Sequence, residues 1–117
     1  MVEGLGTSDL LGLLEEMDPG VGLEIHAPVL FPWIRRAKGI DQVRAAVIHN
    51  FSTVEAQQTK VLAVVAQGHV VDVTLRETGR IKATQQPYEV VGVQQFVFRN
   101  GKVLEFREFV AHRTPDE

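Results

Sequence analysis

The chain contains no cysteine, so disulfides, thiolate nucleophiles and cysteine-based metal sites are excluded. It has no run of Lys or Arg to offset a net charge of −3, which argues against a general nucleic-acid binder. No apolar stretch approaches the ~20 residues of a membrane span. The opening MVEGLGTSDL lacks the basic and apolar regions of a signal peptide. No membrane partner is expected, and the cytoplasm is the default location. The histidines at positions 26, 49, 69 and 112 lack ligand spacing, such as i, i+4 on a helix, so no metal is expected. There is no internal repeat and no low-complexity segment.

What is present is 117 residues with ordinary hydrophobic and charged content, enough for one soluble domain with a real core. Residues 1–6 are Gly-rich and expected to fray. Thr7 or Ser8 can cap a short helix over Asp9 to Met17, which Asp18-Pro19-Gly20 would stop. Val21 to Trp33 is β-like, with Leu23 and Ile25 alternating against Glu24 and His26, and Pro28 and Pro32 bending it. Ile34 to Lys38 is a basic connector. Gly39 to Val54 is the best helix, because Ile40, Val43, Val47, Phe51 and Val54 form one stripe with His49 opposite. Two strands follow, Gln58 to Ala66 and His69 to Glu77, joined at Gln67-Gly68. Asp72 and Arg76 alternate outward there, as a solvated face. A polar loop, Thr78 to Pro87, leads to a final pair of β-rich runs. The order predicts an α+β fold, with helices on one face of a curved, mostly antiparallel sheet.

The final hairpin, Tyr88 to His112, organises the chain. Asn100-Gly101 between β-rich runs is a strong turn signal. A two-residue loop would pair Arg99 with Lys102 and set Val93 opposite Glu108. A three-residue loop with a bulge at Gly101 would pair Phe98 with Lys102, Gly92 with Glu108 and Tyr88 with His112. In the second register Tyr88, Val90, Gly92, Gln94, Phe96 and Phe98 share a face with Lys102, Leu104, Phe106, Glu108, Val110 and His112. The other face carries Val91, Val93, Gln95, Val97, Val103, Glu105, Arg107, Phe109 and Ala111.

Three local patterns resemble the SnoaL-like and ketosteroid-isomerase-like families of the nuclear transport factor 2 superfamily. They are Ile25-His26-Ala27-Pro28 on the first strand, Gly39 to Val43 opening the long helix, and Phe96 to Val103 followed by Phe106-Arg107-Glu108-Phe109 in the closing hairpin. Together they span roughly residues 23–112, and the whole chain, 1–117, is read as one such domain. The resemblance implies a cystatin-like cone whose concave sheet face and helices enclose an apolar pocket. It also implies the bulged hairpin loop, and a homodimer through the convex face. The catalytic sets of known members do not transfer whole. Ala27 stands where ketosteroid isomerases carry a general-base Asp, Gln94 falls near their oxyanion-binding Asp, and their helical Tyr has no counterpart. Glu108 matches the last-strand Asp of limonene-epoxide-hydrolase-like members, but their Arg-x-Asp has no clear equivalent; Asp72 and Arg76 are the nearest.

Glu108, beside Phe106 and Val110, is the leading candidate. An apolar wall raises a carboxyl pKa and suits it to acid/base work near neutral pH; the plainer reading is a strand carboxylate paired with a cation. His26 would assist as proton carrier, and Gln94 or Tyr88 would donate to a developing oxyanion. Phe31, Trp33, Val90, Gly92, Phe106, Val110 and His112 would line the pocket. The function expected is binding of a small apolar, oxygen-bearing compound, with cofactor-free isomerisation, cyclisation or hydrolysis through Glu108. The alternative is a non-catalytic ligand-binding or dimerisation module of the same fold. Fold alone does not choose between them.

Overall fold

A computed structural model describes residues 16–112. The elements in chain order are β1 (Met17–His26), β2 (Arg36–Lys38), α1 (Ile40–Ser52), β3 (Val54–Gln67), β4 (Val70–Ile81), β5 (Pro87–Arg99) and β6 (Lys102–His112). The strands form a six-stranded sheet in the order β2-β1-β6-β5-β4-β3. Every neighbouring pair is antiparallel except β1 with β6, which run parallel. The α+β class is as expected, with one helix among the described residues.

Alternation in β1 turns Val21, Leu23 and Ile25 toward α1, where they meet Val43, Ala46 and Val47. Val103 and Phe106 of β6 complete this first core. A second core, Phe31, Val54, Ile81, Tyr88 and Val90, lies beside it on the same sheet face. Ala27 and Trp33 pack against both. These clusters cover one side of the sheet, the helix face; the opposite side is the outer face.

Several element boundaries differ from expectation. The helix over Asp9 to Met17 lies outside the described residues up to position 15, and Met17 itself opens β1. Asp18-Pro19-Gly20 does not end a helix but continues the strand, with Asp18 Oδ1 accepting from Gly20 N–H at 2.8 Å. β1 stops at His26 rather than Trp33. The basic connector contains β2, which pairs Arg36 with Glu24 and Lys38 with Gly22. The stretch read as a polar loop begins as strand, because β4 runs through Thr78 to Ile81 with Ile81 buried.

The closing turn is the two-residue Asn100-Gly101 type, with φ of 52° and 78° and Arg99 paired to Lys102. Both positive φ values suit Asn and Gly. The three-residue loop is therefore absent. One residue later the register slips: Phe98 pairs with Val103 but Val97 pairs with Glu105, leaving Leu104 as the extra residue of a bulge. The slip restores the even-with-even parity of the expected face but shifts every partner. Glu108 lies opposite Gln94, not Gly92; Gly92 faces Val110; and His112 faces Val90, not Tyr88. The tight turn itself, by pairing Val103 with Phe98 before the slip, sets Val103 in the core, away from the outer face where it was expected.

One polar residue pins the loop between β1 and β2. Asn50, 8% exposed on α1, accepts from Ile34 N–H at 2.8 Å and donates to Ile34 C=O at 3.1 Å. Arg35 ties the same loop by donating to the carbonyls of Ala27, Pro28 and Phe31. Asn50→Leu would leave the peptide N–H and C=O groups of Ile34 without these partners. Burial of orphaned polar groups predicts a loss of about 2–3 kcal/mol in urea denaturation. A loss near zero would mean that Arg35 alone holds the loop.

Candidate functional site

On the helix face, four strands bring five polar side chains into a seam between the two cores. Glu108 lies on β6, directly beside Ile25 of β1 and opposite Gln94 of β5. Gln94 Nε2 donates to its Oε2 at 3.1 Å. Glu77 lies on β4, next to Val90 and Thr59. The Tyr88 hydroxyl donates to Glu77 Oε2 at 2.6 Å, and Gln57 Nε2 donates to the same oxygen at 2.9 Å. Each position follows from alternation: Val73, Leu75, Glu77, Gly79 and Ile81 share a face, as do Tyr88, Val90, Gly92 and Gln94.

Two local irregularities make the contacts possible. Gly79 is paired with Tyr88, and a Cβ there would stand 2.6 Å from the Tyr88 hydroxyl oxygen. The missing side chain lets the phenol lie flat across β4 and reach Glu77. In β3 the register shifts between Glu55 and Gln58, with Ala56 at φ 53°. The bulge re-aims Gln57 toward the neighbouring strand.

Burial dominates the electrostatics. Glu108 is partly exposed by area but densely surrounded by protein, and desolvation pushes its pKa from 4.5 to about 7. The Gln94 bond opposes this rise, and the charge of Glu77 adds to it. Desolvation also raises Glu77, against the bonds from Tyr88 and Gln57. The Tyr88 hydroxyl is raised as well, first by burial and then by Glu77. Among the described residues no Lys or Arg pairs with either carboxyl. The pairing with a neighbouring cation that the plainer reading of Glu108 called for is thus missing there.

The expected site residues do not all meet. Glu108, Gln94 and Tyr88 come together on one face, with Val90, Phe106, Val110 and His112 around them. Phe31 is 1% exposed and locked between Trp33, stacked at 4.2 Å, and the edge of Tyr88 at 4.9 Å. It supports Tyr88 from within the core. Gly92 adjoins Gln94 but leaves its space to Phe109 O and Val110. His26 is not brought to the site. It pairs with Phe109 on the outer face, stacks on that ring at 5.0 Å and bonds to Glu24. Its alternation with Ile25 already required this. Glu77 and Gln57 were not singled out from sequence. The signal for Glu77 was its phase with Val73, Leu75 and Ile81, hidden by reading Thr78 onward as loop.

A cavity of about 430 Å³ opens elsewhere, lined by Gly22, Glu24, Arg36, Lys38, Glu105 and Arg107, and Glu108 does not line it. Among the described residues no group of three or more His, Cys, Asp or Glu could hold a metal ion.

A helix laid on one face of a mixed six-stranded sheet, with ionisable groups on that same face, defines a small α+β domain. The chain matches the SnoaL-like domain family over residues 1–106 and belongs to it. Solved structures agree on the fold. A protein from Jannaschia sp. CCS1, provisionally described as a SnoaL-like polyketide cyclase, is 24% identical with a TM-score of 0.72, over 89% of this chain and 73% of that one. A provisionally described isomerase from Rhodopseudomonas palustris is 17% identical with a TM-score of 0.75, over 92% and 81%. A nuclear transport factor 2-like protein from Anabaena variabilis is 16% identical with a TM-score of 0.72, over 94% and 80%. No curated protein shows significant similarity to the chain.

The raised carboxyls fix a sign for stability against pH. Between pH 4.5 and about 7 the folded state holds the Glu108 proton more tightly than the unfolded state, so stability falls as pH rises through that window. Glu77 acts in the same direction. Asp18, Glu24 and Glu55 are lowered and act below it. With allowance for partial exposure, the Glu108 share is on the order of 2 kcal/mol. Glu108→Gln is expected to remove most of that slope in urea denaturation at a series of pH values. A wild-type curve that is flat across the interval would return Glu108 to the solvated carboxylates.

Proposed function

We propose that the chain binds a small apolar compound bearing an oxygen function on the helix face, and that Glu108 exchanges a proton with it. The observation that carries this reading is the place of the Glu108 carboxyl among Ile25, Phe106 and Val110, where burial pushes its pKa up to about 7. A group half protonated at neutrality can both give and accept a proton. As the carboxylate it would take a proton beside a carbonyl and return it to another atom, which is an isomerisation. As the acid it would protonate an epoxide or carbonyl oxygen while water or an internal carbon adds. Gln94 is the amide poised to donate to developing negative charge, since the Tyr88 hydroxyl is directed to Glu77. In this reading the sheet and its helix form the cone, and the apolar pocket lies over Glu108. No cofactor is required. A homodimer would form through the outer face, where Val91, Val93, Val97 and Phe109 stand.

One observation favours the second reading, a non-catalytic binding module. Ala27, at the position of the ketosteroid-isomerase base, offers only a methyl group, and its carbonyl is braced by Arg35.

Carboxyl NMR of Glu108 with and without a panel of small cyclic ketones and epoxides tests both. The enzyme reading expects a midpoint near neutral that moves with a ligand, turnover of that ligand, and a loss of at least about 100-fold in rate in Glu108→Gln. A ligand-induced shift without turnover leaves the binding module. A midpoint at the ordinary value, unmoved by every compound, sinks the enzyme reading and puts the non-catalytic module first.

A further inference from the structure

We propose that the cavity at the β2 edge of the outer face binds a small zwitterion, a compound carrying both a carboxylate and an ammonium group as a free amino acid does. The register builds this corner from two transverse rows. In one, Arg36, Glu24 and Arg107 stand side by side on β2, β1 and β6; in the next, Lys38, Gly22 and Glu105 do. Alternation puts these positions on the outer face, because Leu23 and Phe106 between them belong to the core on the other side. The second row has no side chain at its centre, where Gly22 stands. The gap is bounded by a cation on β2 and a carboxylate on β6. It opens into the cavity of about 430 Å³, a volume that suits a small-molecule ligand. Glu108 does not line the cavity, so this site stands apart from the acid/base reading.

The hydrogen bonds around the gap give its two sides opposite character. On the β2 side the donors are uncommitted. Among the described residues the Arg36 guanidinium and the Lys38 ammonium make no hydrogen bond or ion pair. Lys38 leans over Gly22, its Cδ and Nζ each 4.0 Å from where a Cβ would stand. Asp18, the other carboxyl near Lys38, is turned to Gly20 N–H and Arg99. Gln42, in the first turn of α1, accepts from the Lys38 peptide N–H through Oε1 at 3.2 Å, which leaves Nε2 as a further donor. On the other side each carboxylate is held by one oxygen. Glu105 Oε2 accepts from Arg107 at 2.7 Å, and Arg107 is fixed in turn by donating to Gln95 at 3.2 Å. Glu24 Oε2 is bonded to His26; that bond lowers its pKa first, and Arg36 adds to the effect at a distance. The second oxygens of both carboxylates have no donor among the described residues. A lone anion matches the β2 side but is repelled by Glu24 and Glu105, and a lone cation meets the reverse. A zwitterion satisfies both: its carboxylate accepts from Arg36, Lys38 and Gln42, and its ammonium donates to Oε1 of Glu105 and Glu24.

The test follows the amide NMR shifts of Gly22, Lys38 and Glu105 while the full chain is titrated with L-leucine. Two comparison compounds each lack one charge: isocaproate has no amino group, and isoamylamine has no carboxylate. Leucine is expected to give saturable shifts, and each comparison compound to bind about tenfold more weakly, the scale of one charge-assisted hydrogen bond. Gly22→Val fills the gap with a residue suited to a strand and is expected to abolish the shifts. Lys38→Met and Glu105→Gln are each expected to weaken leucine by about tenfold. Should Gly22→Val fail to fold, these two surface variants decide. Leucine that gives no saturable shift overturns the proposal. Isocaproate binding as tightly as leucine overturns it in favour of a plain anion site, and isoamylamine doing so overturns it in favour of a cation site. Leucine binding unchanged in all the variants places the ligand elsewhere and overturns the assignment.

Discussion

The pairing of β5 with β6 slips by one residue at Leu104, and the contents of the helix face depend on that slip. A sheet has a period of two, so a one-residue offset exchanges its faces. The tight Asn100-Gly101 turn, continued without a bulge, would set Val93 opposite Glu108, and Phe109 would share a face with Gln94. With Leu104 inserted, Phe96 meets Phe106 as a stacked pair at 4.9 Å, and Glu108 meets Gln94. Beyond the bulge the slip gives β1 its inner neighbours as well, since Leu23 runs beside Phe106 and Ile25 beside Glu108. A bulge of this kind places a charged group among apolar ones and holds it there by the packing of four strands.

That packing sets the energetic terms. The two cores supply the burial that stabilises the domain, and the carboxyl seam between them works against it at neutral pH. Each carboxyl of the seam has donors but no cation among the described residues, so its charged form is compensated only in part. Sites that perform proton chemistry are commonly strained in this way, because a group comfortable as an ion gives up little by staying one. The aromatic cluster of Phe31, Trp33 and Tyr88 limits the motion of the phenol, with Trp33 itself tied to Thr53 through its indole N–H at 3.0 Å.

Much of the fold was legible in sequence. Helical spacing located α1 nearly to its ends, and the Asn100-Gly101 signal located the hairpin. The face that joins Tyr88, Gln94 and Glu108 was right from Phe106 onward, although the loop supposed to create it was not, and nearer the turn Val103 is the core residue where Lys102 and Leu104 were expected. The bulge that took its place has no local marker, since Val103-Leu104-Glu105 reads as ordinary strand. Glu77 was missed because Thr78-Gly79-Arg80 carries turn-like residues, yet Gly79 is there to admit a side chain from β5. A glycine that serves a contact with a neighbouring strand looks, locally, like a breaker. His26 illustrates the reverse case. A motif resemblance drew it toward the site although its alternation with Ile25 had assigned it to the outer face.

The same sheet shows why the two faces differ chemically. Across the outer face the register aligns Asp72, Gln95, Arg107, Glu24 and Arg36 in one transverse row, with acid and base alternating from β4 to β2. Two carboxyls of the outer face are held below their ordinary range, Glu24 first by its bond to His26 and Glu55 first by its bond to Arg80. Carboxyls of the helix face are held above it, first by loss of water. Residue type is constant, and so is the backbone; what changes is whether the neighbouring strand offers a cation or an aliphatic side chain. A glutamate on this sheet is therefore paired with a cation on one side and desolvated on the other, and alternation along β4, β5 and β6 decides which.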